Sequence, residues 1–156
     1  MEVGLALYHR AREIVALDIN AQVFDIAAGE LAERAGHVYS RPGVQPVAAD
    51  GRGYLRRSKE KFDLIQIPAL DSFSATAAGV HALNENFIYT VEAFREYLGH
   101  LQAGGILCLS RWVRYWPGRD GIKLMATVIE AWEQSGLAPA RRLIVIRNWN
   151  MITVLL

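Results

Sequence analysis

The stretch Ile14-Val15-Ala16-Leu17-Asp18 is an apolar run that ends in an acid, and the chain repeats this pattern twice more. Val44 to Ala49 ends in Asp50, and Phe62 to Leu70 ends in Asp71. Apolar runs of this length predict buried strands. A parallel α/β sheet binds its ligands in the crevice beyond the carboxyl ends of its strands, so the three acids mark a candidate site.

The first two acids suit a nucleoside. A carboxylate accepts hydrogen bonds through two oxygens, so Asp18 can bind both hydroxyls of a ribose, and Asp50 can bind the amino group of an adenine. Each also has a structural alternative, since aspartates commonly cap helices and a helix is predicted after each. Asn20 can cap the helix after Asp18, which favours the ribose role there. For Asp50 the two roles remain open. The pattern points to a cofactor that contains adenosine.

Composition narrows the function further. The length of 156 residues is typical of a single domain. The chain has 52% apolar residues, 21% charged residues and a net charge of +1. This charge balance argues against partners that are nucleic acids or acidic membranes. The lone Cys108 has no partner for an internal disulfide, which is typical of a reducing, cytoplasmic environment. No apolar run approaches the roughly 20 residues of a membrane span.

Helical and strand periods alternate along the chain. Helices are predicted up to about Ala11, at 21–35, from 51, from a cap at Asn84 or Thr90 to about Leu101, and at 120–135. Strands are predicted at 13–18, 44–49, 62–67, 106–110, 142–147 and 151–156, the last two joined as a hairpin. Strict alternation predicts an α/β fold with a mostly parallel sheet that ends in an antiparallel hairpin.

Four segments together resemble the spermidine synthase-like family. They are Asp50-Gly51-Arg52, Phe62-Asp63-Leu64-Ile65, the stretch from Asn84 through Tyr89-Thr90-Val91-Glu92-Ala93-Phe94, and Leu101-Gln102-Ala103-Gly104-Gly105-Ile106-Leu107. These polyamine aminopropyltransferase-like proteins belong to the class I S-adenosylmethionine-dependent methyltransferase superfamily, whose fold is Rossmann-like. The resemblance runs from Glu2 to Leu156 and implies a single domain over 1–156.

The sequence departs from that family in two places. Family members begin with a strand and a glycine-rich loop directly before the helix that opens here at Glu2. The resemblance therefore implies an N-terminally incomplete domain, whose missing first strand would lie between those at 13–18 and 62–67. Aminopropyltransferases also place an aspartate at the end of the fourth strand and another three residues on. The first of these positions aligns with Pro68, and only Asp71 matches the second.

The resemblance implies S-adenosylmethionine or its decarboxylated form as cofactor. The implied cofactor-binding residues are Gly4, Asp18, Ile19, Asp50 and Gly51, with Ile19 against the adenine ring and Gly51 close to it. For each of them helix capping or core packing is the alternative.

The strand at 62–67 corresponds to the fourth strand of the family, and a carboxylate just after it can bind an amine acceptor and remove its proton. Asp71 and its possible neighbour Tyr89 are therefore the candidate catalytic residues. Asp71 also has a structural alternative, in which it is a solvated acid or caps a turn beside Ser72. The four histidines show no metal-ligand spacing, so no metal is expected.

Three functions remain open at this stage. The leading one is a spermidine synthase-like transferase that moves an aminopropyl or methyl group to an amine or another small acceptor, as in polyamine biosynthesis. The second is a small-molecule methyltransferase; Pro68 in place of an acid weakens the polyamine interpretation, although no residue identifies a methyl acceptor. The third is a non-catalytic interaction or sensing module that keeps the fold, which the absent loop and the lost acid favour. The expected partner is a small molecule, with no nucleic acid or membrane contact, and the sequence leaves an oligomer open.

Overall fold

A computed structural model describes residues 2–70, 87–113, 119–136 and 142–156. The helices within these ranges are α1 (Glu2–Tyr8), α2 (Ala21–Ala28), α3 (Gly51–Arg57), α4 (Val91–Gly99) and α5 (Arg119–Gln134). The strands within the same ranges are β1 (Ile14–Asp18), β2 (Val44–Ala48), β3 (Phe62–Ile67), β4 (Leu101–Trp112), β5 (Ile144–Asn148) and β6 (Met151–Leu155). Short 3₁₀ helices cover Val38–Ser40 and Phe87–Tyr89. The predicted alternation of helix and strand is confirmed.

The chain forms two compact units, Met1–Ser58 and Lys59–Leu156. In the first unit β1 and β2 form a parallel pair, in register from Ile14 opposite Val44 to Asp18 opposite Ala48. Since both strands run in the same direction, their carboxyl ends lie at one edge of this small sheet.

The second unit is built on a four-stranded sheet in the order β3-β4-β6-β5. β3 and β4 are parallel, whereas β6 runs antiparallel to both β4 and β5. Trp149 and Asn150 form the turn of the β5–β6 hairpin, and Trp149 has a φ of 41°, as two-residue hairpin turns require. The parallel pairs and the terminal hairpin are therefore as the sequence predicts.

Helices α4 and α5 contribute the larger part of the core of the second unit. Alternate residues of β4 and β6 face this core, because side chains alternate between the two faces of a strand. The side chains here with no more than 2% of their surface exposed are Ala93, Phe94, Tyr97, Leu107, Leu109, Leu124, Val128, Ala131, Trp132 and Val154. Within the described residues, no helix has the length and apolar character that crossing a membrane requires.

Helix α2 is shorter than the predicted helix at 21–35, since it ends at Ala28. The backbone leaves helical geometry at Gly29, with φ −102° and ψ −103°. In this conformation a Cβ would lie 2.8 Å from the carbonyl oxygen of Asp25, so the position requires glycine. The apolar spacing that suggested a longer helix continues through Leu31 and Ala35, but these residues lie in turns.

Strand β4 is longer than the predicted strand at 106–110. It begins at Leu101, and the Gly104-Gly105 pair forms an irregularity inside it rather than a turn before it. Phe62 lies opposite Leu101 and Leu64 opposite Ile106, so the extra residues of β4 bulge out between these two pairs. Gly104 has a φ of 81°, which explains a glycine at the bulge.

Candidate nucleoside and acceptor sites

Asp18 is the last residue of β1, and its side chain is half-buried. One carboxylate oxygen, Oδ1, accepts a hydrogen bond of 2.8 Å from the backbone N–H of Asn20. The side chain of Asn20 in turn accepts from the N–H of Gln22 at 3.0 Å and caps α2. Asn20 therefore caps the helix, as the sequence indicated. Within the described residues, no hydrogen bond reaches Oδ2 of Asp18, so this oxygen can serve a ligand.

Asp50 follows β2 and caps α3. Its Oδ2 accepts a hydrogen bond of 2.6 Å from the N–H of Gly53, so the capping alternative holds for this residue. Capping uses one oxygen, however, and Oδ1 has no hydrogen-bond partner in the part of the chain that the structure describes. The side chain is exposed. A capping role and a ligand role are compatible here because a carboxylate has two oxygens.

Register brings the two acids to the same edge of the first unit. Asp18 lies opposite Ala48, two residues before Asp50, and the N–H of Ala49 donates to the carbonyl of Asp18 at 2.9 Å. Neighbouring strands are about 4.8 Å apart, so Asp18 and Asp50 both lie at the carboxyl edge of this pair. The electrostatic consequence is a negative edge that favours hydroxyl and amino donors.

Three further predicted residues lie in this unit. Ile19 directly follows Asp18 and is 81% exposed, so it offers an apolar surface that no described residue covers. At Gly51 a Cβ would make only ordinary contact with Leu17, so packing in this unit does not require glycine there. Gly4 lies in α1, where a Cβ would come to 3.9 Å from Val38. Their roles toward a cofactor stay predictions.

The predicted catalytic residues belong to the second unit. Asp71 lies outside the described residues. Tyr89 ends the second 3₁₀ helix, just before the cap of α4, and its hydroxyl oxygen is buried. The guanidinium carbon of Arg111 lies 4.4 Å from the centre of the Tyr89 ring. This cation–π contact was not foreseen, because Arg111 lies beyond the predicted strand at 106–110, whereas β4 extends to Trp112.

Cys108 is not a candidate nucleophile, and the described residues offer no metal site. Cys108 is half-buried in β4, and burial raises the pKa of its thiol above the usual value. A raised pKa keeps the thiol protonated at neutral pH, which makes it a poor nucleophile. Among the described residues, no group of three or more His, Cys, Asp or Glu side chains is placed to hold a metal ion.

Solved structures with a similar fold are mostly methylases, with spermidine synthases among them. A ribosomal protein L11 methylase from Lactobacillus delbrueckii subsp. bulgaricus matches 98% of this chain with a TM-score of 0.58 and 15% identity. Spermidine synthase from Thermotoga maritima matches 92% with a TM-score of 0.54 and 17% identity. Trm5b from Pyrococcus abyssi matches 98% with a TM-score of 0.54 and 17% identity.

This chain has the class I S-adenosylmethionine-dependent methyltransferase fold. It spans 63% of the L11 methylase and 44% of the spermidine synthase. No family model matches the chain. Identities of 15% and 17% establish a shared fold and do not identify the reaction. The spermidine synthase-like family is therefore one of several families that share this fold.

Proposed function

We propose that this chain is the donor-binding part of a small-molecule methyltransferase that uses S-adenosylmethionine. The observation that carries the proposal is the placement of Asp18 and Asp50 at the same edge of two parallel strands. Each keeps one carboxylate oxygen beyond its backbone hydrogen bond. Asp18 binds the ribose hydroxyls, Asp50 binds the adenine amino group, and the exposed Ile19 lies against the ring.

The donor supplies the driving force of the reaction. Its sulfur carries a positive charge, so a lone pair of the acceptor forms a bond to the methyl carbon while the carbon–sulfur bond breaks. The bonding electrons stay on sulfur and give a neutral thioether, and the acceptor loses its proton to water or a base. Because the leaving group needs no protonation, the protein contributes mainly by orienting the two reactants.

Methyl transfer fits this chain better than aminopropyl transfer. A polyamine acceptor arrives as an ammonium ion and must lose a proton before it can react. Aminopropyltransferases therefore need carboxylates at the end of the strand that corresponds to β3 in this chain. Pro68 stands at the first of these positions and has no acidic group. Similar folds are also mostly methylases. The resemblance of the Tyr89-Thr90-Val91 segment to aminopropyltransferases keeps the second reaction as the rival.

The products separate the two reactions. Methyl transfer converts S-adenosylmethionine into S-adenosylhomocysteine, whereas aminopropyl transfer converts the decarboxylated donor into methylthioadenosine. The protein is incubated with each donor and a mixture of small acceptors, and both nucleoside products are measured by mass spectrometry. We expect S-adenosylhomocysteine to form with the first donor. Methylthioadenosine from the decarboxylated donor and putrescine would establish the rival instead.

Binding provides a second readout that does not depend on the right acceptor. Titration calorimetry with S-adenosylmethionine should give a saturable signal, and S-adenosylhomocysteine should compete for the same site. If neither nucleoside binds, the proposed function is wrong, and the fold serves this protein in another role.

A further inference from the structure

The outer edge of β1 is an unpaired strand edge in the first unit. The carbonyl of Asp18 accepts from the N–H of Ala49, so the even-numbered residues of β1 direct their backbone groups toward β2. Val15 and Leu17 face the other way, and within the described residues no hydrogen bond reaches their backbone groups on that side. Ile19, the next residue on this side, is 81% exposed. The edge therefore has both the free backbone groups and an open end.

The other strand edges of the two sheets carry features that discourage pairing with another chain. In β2 the outward position is occupied by Pro46, which has no N–H to donate. The edge strands of the second unit each carry a charged residue, Asp63 in β3 and Arg147 in β5. Prolines and charges of this kind protect edges from further strands. From Ile14 to Leu17, β1 has neither, so it is the described edge best suited to accept another strand.

Opposite charges flank this edge. Arg12 lies two residues before β1 and is exposed, and Asp18 is the last residue of the strand. Among the described residues, the Arg12 guanidinium has no hydrogen bond or ion pair, and Oδ2 of Asp18 has no hydrogen-bond partner. Six residues of extended chain place the two about 20 Å apart, so they do not pair within one chain.

An antiparallel copy of β1 brings these charges together. One two-fold register puts Val15 opposite Val15 of the other copy, so that outward backbone groups on both strands bond each other. The remaining opposite pairs, each formed twice by the symmetry, are Glu13 with Leu17, Ile14 with Ala16, and Arg12 with Asp18. The last of these is a pair without backbone bonds between its members, in which side chains come closest.

Neighbouring registers lose this match. A shift by two residues, the smallest that keeps the pleat, puts Asp18 opposite either Ile14 or Arg10. Ile14 has no charge, and Arg10 has a left-handed φ of 62°, so it lies outside the extended chain. Charge complementarity therefore selects both a second copy as the occupant and the register in which it lies.

We propose that a second copy of this chain pairs antiparallel with the outer edge of β1, with Arg12 of each copy against Asp18 of the other. The two-fold symmetry uses the same edge on both copies and leaves no edge open for further growth. A pair of strands this short buries less than the roughly 800 Å² per partner of a typical stable interface. The dimer is therefore weak, with a dissociation constant on the order of 0.1 mM.

The dimer has a consequence for donor binding, and this consequence rests on the proposed function. Oδ2 of Asp18 is the oxygen assigned to the ribose, and in the dimer it contacts Arg12 of the other copy. Donor and second copy then compete for the same oxygen. Because binding free energies are coupled reciprocally, saturating S-adenosylmethionine should weaken the dimer about tenfold.

The test measures association of the full 156-residue chain without any donor. Sedimentation velocity is recorded from about tenfold below to about tenfold above the expected dissociation constant. We expect the average sedimentation coefficient to rise with concentration from that of a monomer to that of a dimer. Arg12→Asp places two acids opposite each other and should weaken association at least about tenfold. The control Arg34→Asp makes the same charge change at an exposed residue in the turns after α2 and should associate like the wild type.

A charge swap tests the register. Asp18→Arg combined with Arg12→Asp exchanges the two charges and should restore association to within about threefold of the wild type. Circular dichroism checks that the double variant folds. Val15→Pro covers the case in which it does not, because it removes an outward N–H and leaves the bonds to β2 in place. This variant should also weaken association about tenfold.

Two results would overturn the inference. One is a chain that stays monomeric at every concentration, which would leave the β1 edge to some other strand. The other is a dimer that Arg12→Asp and Val15→Pro leave unchanged. A dimer that persists while S-adenosylmethionine is bound would overturn the shared use of Asp18. A chain that dimerises as expected but binds no donor would instead refute the proposed function and support the interface.

Discussion

One oxygen of Asp18 accepts from a backbone N–H, and the other is left for a ligand. A substitution can therefore remove the second oxygen and keep the first. In Asp18→Asn the remaining oxygen still accepts from Asn20, while the charge and one acceptor are lost. We expect the affinity for S-adenosylmethionine to fall about 10-fold to 100-fold, measured by titration calorimetry. Asp25→Asn is the matched control, because Asp25 is exposed on α2. Equal affinities in the two variants would count against a ribose contact at Asp18.

Cys108 offers a test of burial through pH. Alkylation proceeds through the thiolate, and burial raises the thiol pKa above its usual value of 9.0, so the thiolate forms only at higher pH. The rate of iodoacetamide labelling should therefore rise with pH along a curve whose midpoint exceeds that of the same thiol in denaturant. Mass spectrometry follows the reaction. A midpoint at or below the denatured value would mean that Cys108 lies in an electropositive or exposed place.

Helix α4 begins at a side-chain cap, Thr90. The Thr90 hydroxyl accepts from the N–H of Ala93 at 3.2 Å, and the buried faces of Phe94 and Tyr97 depend on this helix. Thr90→Ala should lower the free energy of unfolding by about 1 kcal/mol, measured by urea denaturation. Thr127→Ala is the control within α5, where the hydroxyl only donates to the carbonyl of Lys123 and alanine favours the helix. A control that loses as much stability would show that the cap contributes little.

Helices and strands were predictable where the local signal and the packing agree. Thr90 was one of two predicted caps and is the one the structure uses, and the turn after Asn148 forms the hairpin. The end of α2 was not predictable from periodicity, because Gly29 breaks the helix while the apolar spacing continues. The Arg111–Tyr89 contact joins residues far apart in sequence, and no local pattern encodes it. For Asp50 the sequence could not choose between cap and ligand, since one carboxylate supports both.

The two compact units differ in how much apolar surface they bury, and this difference predicts uneven stability. In the second unit Phe94, Leu107, Leu109 and Val154 are fully buried. Among the described residues of the first unit, the buried side chains are two alanines, Ala16 and Ala32, and Leu55, with 6–9% of their surface exposed. Amide exchange follows local unfolding, which needs less free energy where fewer apolar contacts must break. We expect amides in β4 and β6 to exchange on the order of a hundredfold more slowly than those in β1 and β2.

Donor binding should slow amide exchange in the first unit and so reduce the difference in exchange rate between the two units. A ligand that binds only the folded state stabilises it in proportion to the logarithm of its concentration over its dissociation constant. If the nucleoside binds at Asp18 and Asp50, saturating S-adenosylmethionine should slow exchange in peptides that cover 14–20 and 44–53. The same peptides of Asp18→Asn should gain less protection at that concentration. The protection is measured by hydrogen exchange with mass spectrometry. Protection confined to peptides of the second unit would contradict the prediction, because it would place the nucleoside away from both aspartates.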